Sequence, residues 1–85
     1  MDNNPDYPSV GEEVRVVVQR ITPIGAHVFL PLYGDKEGII LRSNITGKRI
    51  VTVSNHLKIG LPYVMRVSRV DIAKEEIDLT MKHMY

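Results

Sequence analysis

Five short runs of alternating apolar and polar residues, each closed by turn-forming residues, predict an all-β domain that closes as a small Greek-key barrel. Two further observations narrow this. One long polar connection, residues 42–60, separates the third run from the fourth in an otherwise tightly connected chain. The length, 85 residues, holds one domain with a modest core.

In chain order, Asn3 to Ser9 carries Pro5 and Pro8 and reads as an extended lead-in. The lead-in is placed at residues 1–10 and the folded domain at 11–84. The first strand lies within residues 14–21, where Val14, Val16 and Val18 alternate with polar or outward positions. Thr22-Pro23-Ile24-Gly25 is a turn. Ala26, Val28 and Leu30 then alternate with His27 and Phe29, giving a second strand that Pro31 ends, because proline has no amide to donate. Tyr33 to Lys36 turns, and Glu37 to Leu41 is a third strand. The long connection, Arg42 to Gly60, holds Ser43, Asn44, Thr46 and Gly47, which favour loops, and a turn of helix is expected over 53–59 with Gly60 as its stop. Tyr63 to Val70 is a fourth strand with Met65 and Val67 inward. After a turn at Asp71 to Lys74, Glu76 to Met81 is a fifth, with Ile77, Leu79 and Met81 on one face. Five strands with the long connection between the third and fourth is the order of an OB-type barrel. An SH3-like barrel accommodates that connection less well.

The charge balance is even, +1 overall, but the distribution is not. From Arg42 to Val70 there is no acidic residue, while Arg42, Lys48, Arg49, Lys58, Arg66 and Arg69 all fall there. Both ends are acidic. A field divided in this way can steer a polyanion to one face, or it can simply reflect solvated surface. The chain has no cysteine, which excludes disulfides and thiolate metal sites and fits a reducing compartment. The acidic start has no apolar segment of the secretory kind, and no run approaches membrane-spanning length.

Catalytic chemistry is not legible. His27, His56 and His83 are far apart in sequence and make no i,i+4 pair, so no metal site is expected. No nucleophile has a recognisable base partner, and no glycine loop of the phosphate-cradling kind occurs. The expectation is a non-enzymatic binding module without a cofactor.

The segment ITPIGAHVFL at 21–30, followed by GDKEGIILRSNI at 34–45 and RVDIAKEEIDLT at 69–80, resembles the S1 family of RNA-binding OB-fold domains. Within that family, YPSVGEEV, the polar stretch SNITGKRI and LKIG resemble the amino-terminal domain of the alpha subunits of eukaryotic translation initiation factor two. The resemblance implies a cytoplasmic role in translation initiation. Its implied partners are the other subunits of that factor, initiator tRNA, messenger RNA and the small ribosomal subunit. A guanine-nucleotide exchange factor and a regulatory kinase join them if the loop is phosphorylated. Thr46 falls at the family's phosphoacceptor position, where a serine is usual. Lys48 and Arg49 match two members of the basic run after it, while Gly47 and Val51 depart from that run. Arg42, Lys48, Arg49 and Lys58 are the expected RNA-facing cations. The family's kinase-docking pattern reads here as Lys74, Ile77 and Asp78, without its Gly-Tyr pair. His27 and Phe29 are the expected base-stacking residues on the second strand. Two alternatives stand beside this reading: a free-standing viral pseudosubstrate that blocks the antiviral kinase, and a generic S1 RNA-binding module.

Overall fold

A computed structural model describes residues 6–45 and 53–82. Its strands are β1 (Glu13–Thr22), β2 (Gly25–Leu30), β3 (Lys36–Leu41), β4 (Pro62–Asp71) and β5 (Glu76–Thr80). They close into one barrel in the order β1-β2-β3-β5-β4. All pairings are antiparallel except β3 with β5, where Ile39 meets Asp78 and Ile40 meets Leu79 in parallel. This is the OB topology expected from the long third connection.

The alternation in the sequence is what fills the barrel. Val14, Val16 and Val18 of β1, Ala26, Val28 and Leu30 of β2, Met65 and Val67 of β4, and Ile77 and Leu79 of β5 are all buried, together with Ile40 of β3. Outward neighbours on the same strands keep some exposure, as a period of two requires. Two glycines make room. A Cβ on Gly25 would stand 2.2 Å from the Ile40 carbonyl oxygen, so only glycine lets β2 begin this close to β3. Inward-facing Gly38 leaves the space that Leu79 and Leu30 occupy; a Cβ there would lie 2.9 Å and 3.3 Å from their Cδ1 atoms.

The described parts of the long connection pack against the barrel core. A 3-10 turn, Arg42–Asn44, leads from β3, and a second, Val53–Asn55, precedes β4. The turn of helix expected over 53–59 is therefore shorter and tighter than the sequence implied. The reason is that Leu57, fully buried, must enter the barrel core directly after it. Ile45 and Val53 are buried beside that core. The amide of Gly60, at φ 85, donates to the Val18 carbonyl at 2.8 Å, tying the connection back to β1. Thr46, Lys48 and Arg49 lie outside the described residues.

Both long strands carry an irregularity at the same height. The β1–β2 register shifts between Val18 and Arg20, and the β4–β5 register shifts between Val67 and Arg69. Such bulges bend a strand and raise its twist, which a barrel this small needs in order to close. At the start of the domain, the Tyr7 ring packs partly buried against the core, with Lys36 Nζ 4.9 Å from its centroid. Glu12 accepts a hydrogen bond from the Tyr33 hydroxyl and another from the Ser9 amide. The Tyr33 hydrogen bond, reinforced by that of Ser9, holds the Glu12 carboxyl below its ordinary range. The same contact, led by the hydrogen bond to Glu12, pushes the Tyr33 hydroxyl up.

Candidate nucleic-acid interface

His27 and Phe29 occupy alternate positions of β2 and point to the outer face of the barrel, half-buried. Phe29 lies between Val17 of β1 and Glu37 of β3. His27 lies between Arg20 of β1 and Ile39 of β3. A continuous row runs across the sheet through Arg20, His27, Ile39, Asp78 and Arg69. The structure thus places both expected stacking residues on one exposed face, as a base platform requires.

The side of His27 toward β5 is a groove of about 250 Å³, lined by Glu37, Gly38, Ile39, Glu75, Glu76, Ile77 and Asp78 as well as His27. Four carboxylates therefore flank it. Arg69 compensates two of them, with its Nε 2.7 Å from Asp78 and its Nη2 3.2 Å from Glu76. A third carboxylate, Asp71, lies 3.7 Å from its Nη1. Led by the hydrogen bond that Arg69 donates to Asp78, these contacts hold the Arg69 guanidinium more firmly protonated. Arg66 is 3.1 Å from Glu13. Two cations of the acid-free central segment are thus matched, across the barrel, by acidic residues from both ends of the chain.

The expected basic contacts divide accordingly. Arg42 is exposed at the first turn of the connection, and its amide donates to the Ile24 carbonyl at 2.7 Å. Lys58 is exposed, but its ammonium donates to the Ser54 carbonyl at 2.8 Å and its amide to the Tyr63 hydroxyl at 2.9 Å, so it braces its own loop. Of the docking pattern, Lys74 is exposed in the β4–β5 turn, Asp78 is held by Arg69, and the Ile77 side chain is 1% exposed, inside the core. The structure does not bring Lys74 and Ile77 to one surface.

Of three further features of this face, one is partly legible in the sequence and two are not. Ile24 and Leu41 are 65% and 45% exposed and lie at the same end of the sheet, where Leu41 pairs with Gly25, the residue after Ile24. Arg20 stands beside His27. The carboxylates gather from β3, from β5 and from Glu75 just before β5, and β3 and β5 are adjacent only because of the parallel pairing. Alternation could have flagged Leu41 as outward, but nothing local signals the other two.

The chain matches the S1 RNA binding domain family over residues 7–82. It is 37% identical over 79 residues, 93% of its length, to translation initiation factor 2 subunit alpha of Methanocaldococcus jannaschii, of which it covers 30%. It is 36% identical over 78 residues, 92% of its length, to eukaryotic translation initiation factor 2 subunit 1 of Plasmodium falciparum, of which it covers 24%. The chain therefore spans less than a third of these relatives. Among solved structures, it superposes with a TM-score of 0.89 on a chain from the a/eIF2alpha-aDim2p-rRNA complex of Pyrococcus horikoshii OT3, at 34% identity, covering 93% of this chain and 47% of that one.

Proposed function

The chain belongs to the S1 RNA binding domain family, and from that membership we propose that it is the RNA-contacting S1 domain of an initiation factor two alpha subunit. The observation that carries this reading is the extent of its likeness to alpha subunits, 92% and 93% of the chain at more than a third identity. In this role it acts with the other subunits of the factor, initiator tRNA, messenger RNA and the small ribosomal subunit, in the cytoplasm, and catalyses nothing itself.

The barrel contributes a face, not a cavity that excludes water. His27 and Phe29 offer ring surfaces to unstacked bases. Arg42, with Lys48 and Arg49 from outside the described residues, offers charge to phosphates. The platform is small and flanked by carboxylates, so the isolated domain binds RNA weakly, with a Kd on the order of 10⁻⁴ to 10⁻⁶ M and a steep loss with salt. Titration of a labelled single-stranded RNA across a salt series tests the affinity. A domain exchange tests the role: this chain replaces the corresponding domain of an archaeal alpha subunit, and start-codon-dependent placement of initiator tRNA on small ribosomal subunits is measured. The expected result is retained placement. Loss of placement with RNA binding intact would leave only a generic S1 module.

Thr46 is proposed as the regulatory hydroxyl of the same loop. A phosphate there adds roughly −1.5 to −2 charges beside Lys48 and Arg49. A kinase that modifies initiation factor two is expected to label this chain and to leave the Thr46→Ala variant unlabelled. Equal labelling of both removes Thr46 from that role. A docking contribution from the β4–β5 hairpin would come through Lys74 and Asp78, since Ile77 is committed to the core.

A further inference from the structure

We propose that Arg20 is an RNA-backbone contact, and that a bound strand crosses His27 with its phosphates on the β1 side of the barrel, away from β5. This rests on the RNA-binding reading of the same face.

The bulge in β1 makes the contact available. After Val14, Val16 and Val18, strict alternation would send residue 20 into the core. The register instead shifts between Val18, which faces Val28, and Arg20, which faces His27. Gln19 absorbs the extra position. Arg20 is thereby turned outward and exposed, in line with the histidine. Bulges are known for re-aiming a side chain in this way.

The matching bulge in β4 turns Arg69 outward at the other end of the same row. The two arginines differ in their surroundings. Arg69 is held by Asp71, Glu76 and Asp78. Among the described residues, Arg20 has no ion-pair partner. Its fork of donors suits a phosphate oxygen pair.

The groove on the far side of His27 gives the strand its direction. A phosphate placed there meets Glu37 and Glu75, together with Glu76 and Asp78, which Arg69 already holds. Like charges at close range repel a phosphodiester, while a base on His27 with its backbone over β1 meets Arg20. The carboxylates thus act as a wall, and Arg20 as the contact opposite it.

The test is fluorescence anisotropy of a labelled single-stranded RNA oligonucleotide over a range of KCl, with the full 85-residue chain and three variants. Circular dichroism checks that each variant is folded. Arg20→Gln is expected to weaken binding about three- to tenfold at low salt and to reduce the slope of log affinity against log salt by about 0.7. Arg20→Lys keeps the slope, because it keeps the charge. Glu37→Gln tightens binding, because it lowers the wall. If the unaltered chain binds RNA and Arg20→Gln changes neither affinity nor slope, the contact is refuted while the RNA-binding reading stands. A slope lost in Arg20→Lys, or an affinity unmoved in Glu37→Gln, also overturns the proposal. If the unaltered chain binds no RNA, the reading beneath it falls as well.

Discussion

At Gly25 the β2 backbone passes so close to β3 that a single methyl would overlap the Ile40 carbonyl at 2.2 Å. Neither strand can yield without losing its ladder, so Gly25→Ala is expected to cost about 3 kcal/mol or more, read as a fall in the urea midpoint. Glu75 poses the opposite case. It holds a left-handed backbone at φ 55, a conformation that costs a side-chain-bearing residue about 1–2 kcal/mol. Glu75→Gly should therefore raise stability by about 0.5–1 kcal/mol, after allowing for the greater freedom of glycine in the unfolded chain. A lower melting temperature for this variant would show that the Glu75 side chain contributes more than its strain costs. The third case is a matter of pH. The Glu12 carboxyl is depressed by the Tyr33 hydroxyl. Its stabilising share is present above its unfolded value and is lost as pH falls through the lower folded one. Tyr33→Phe should lower stability by about 1 kcal/mol or less at pH 7, given how open the pair is to solvent. Urea melts at pH 7 and pH 3 should show that difference shrinking in acid.

At the scale of the element, the connection between β3 and β4 does two jobs. Its polar portion was readable as a loop from Ser43, Asn44 and Gly47. Its apolar residues were not readable as a plug. Leu57 is fully buried and Ile45 and Val53 nearly so, which commits both ends of the loop to the barrel. Leu57→Ala is expected to cost about 2–5 kcal/mol. For a domain this size that is a large part of its stability, and thermal melting would register it. No shift of the midpoint would mean that the loop end opens without the barrel. The two bulged strands teach a related lesson. The alternation of valines in β1 and of Met65 and Val67 in β4 identified strand and face correctly, yet by itself it would place Arg20 and Arg69 inside. A bulge leaves no mark in the period of hydrophobicity, because it is a property of how two strands pair.

Across the whole molecule, contacts join residues far apart in the chain. β1 pairs with β4, and β3 with β5. Loop closure must precede these contacts, so refolding after a denaturant jump should take about milliseconds to seconds. Microsecond refolding would be incompatible with this pairing order as the rate-setting event. Charge is redistributed by the same closure. The central segment is wholly basic in sequence, but Arg66 lies against Glu13, and Arg69 against Asp71, Glu76 and Asp78. The cations left for a polyanion are fewer and differently placed than the sequence indicates.

The sequence by itself determined the all-β class, the five strands, their inward faces, the long third connection and the family, because each is written in local periodicity, turn chemistry or a contiguous motif. It also put His27 and Phe29 on one face, since a period of two requires it. Only the tertiary structure decided what surrounds them. The parallel pairing of β3 with β5 gathers four carboxylates beside His27, and the bulge in β1 sets Arg20 on its other side. Both depend on strand pairing and register, which residues far apart in the chain fix together and no local pattern records.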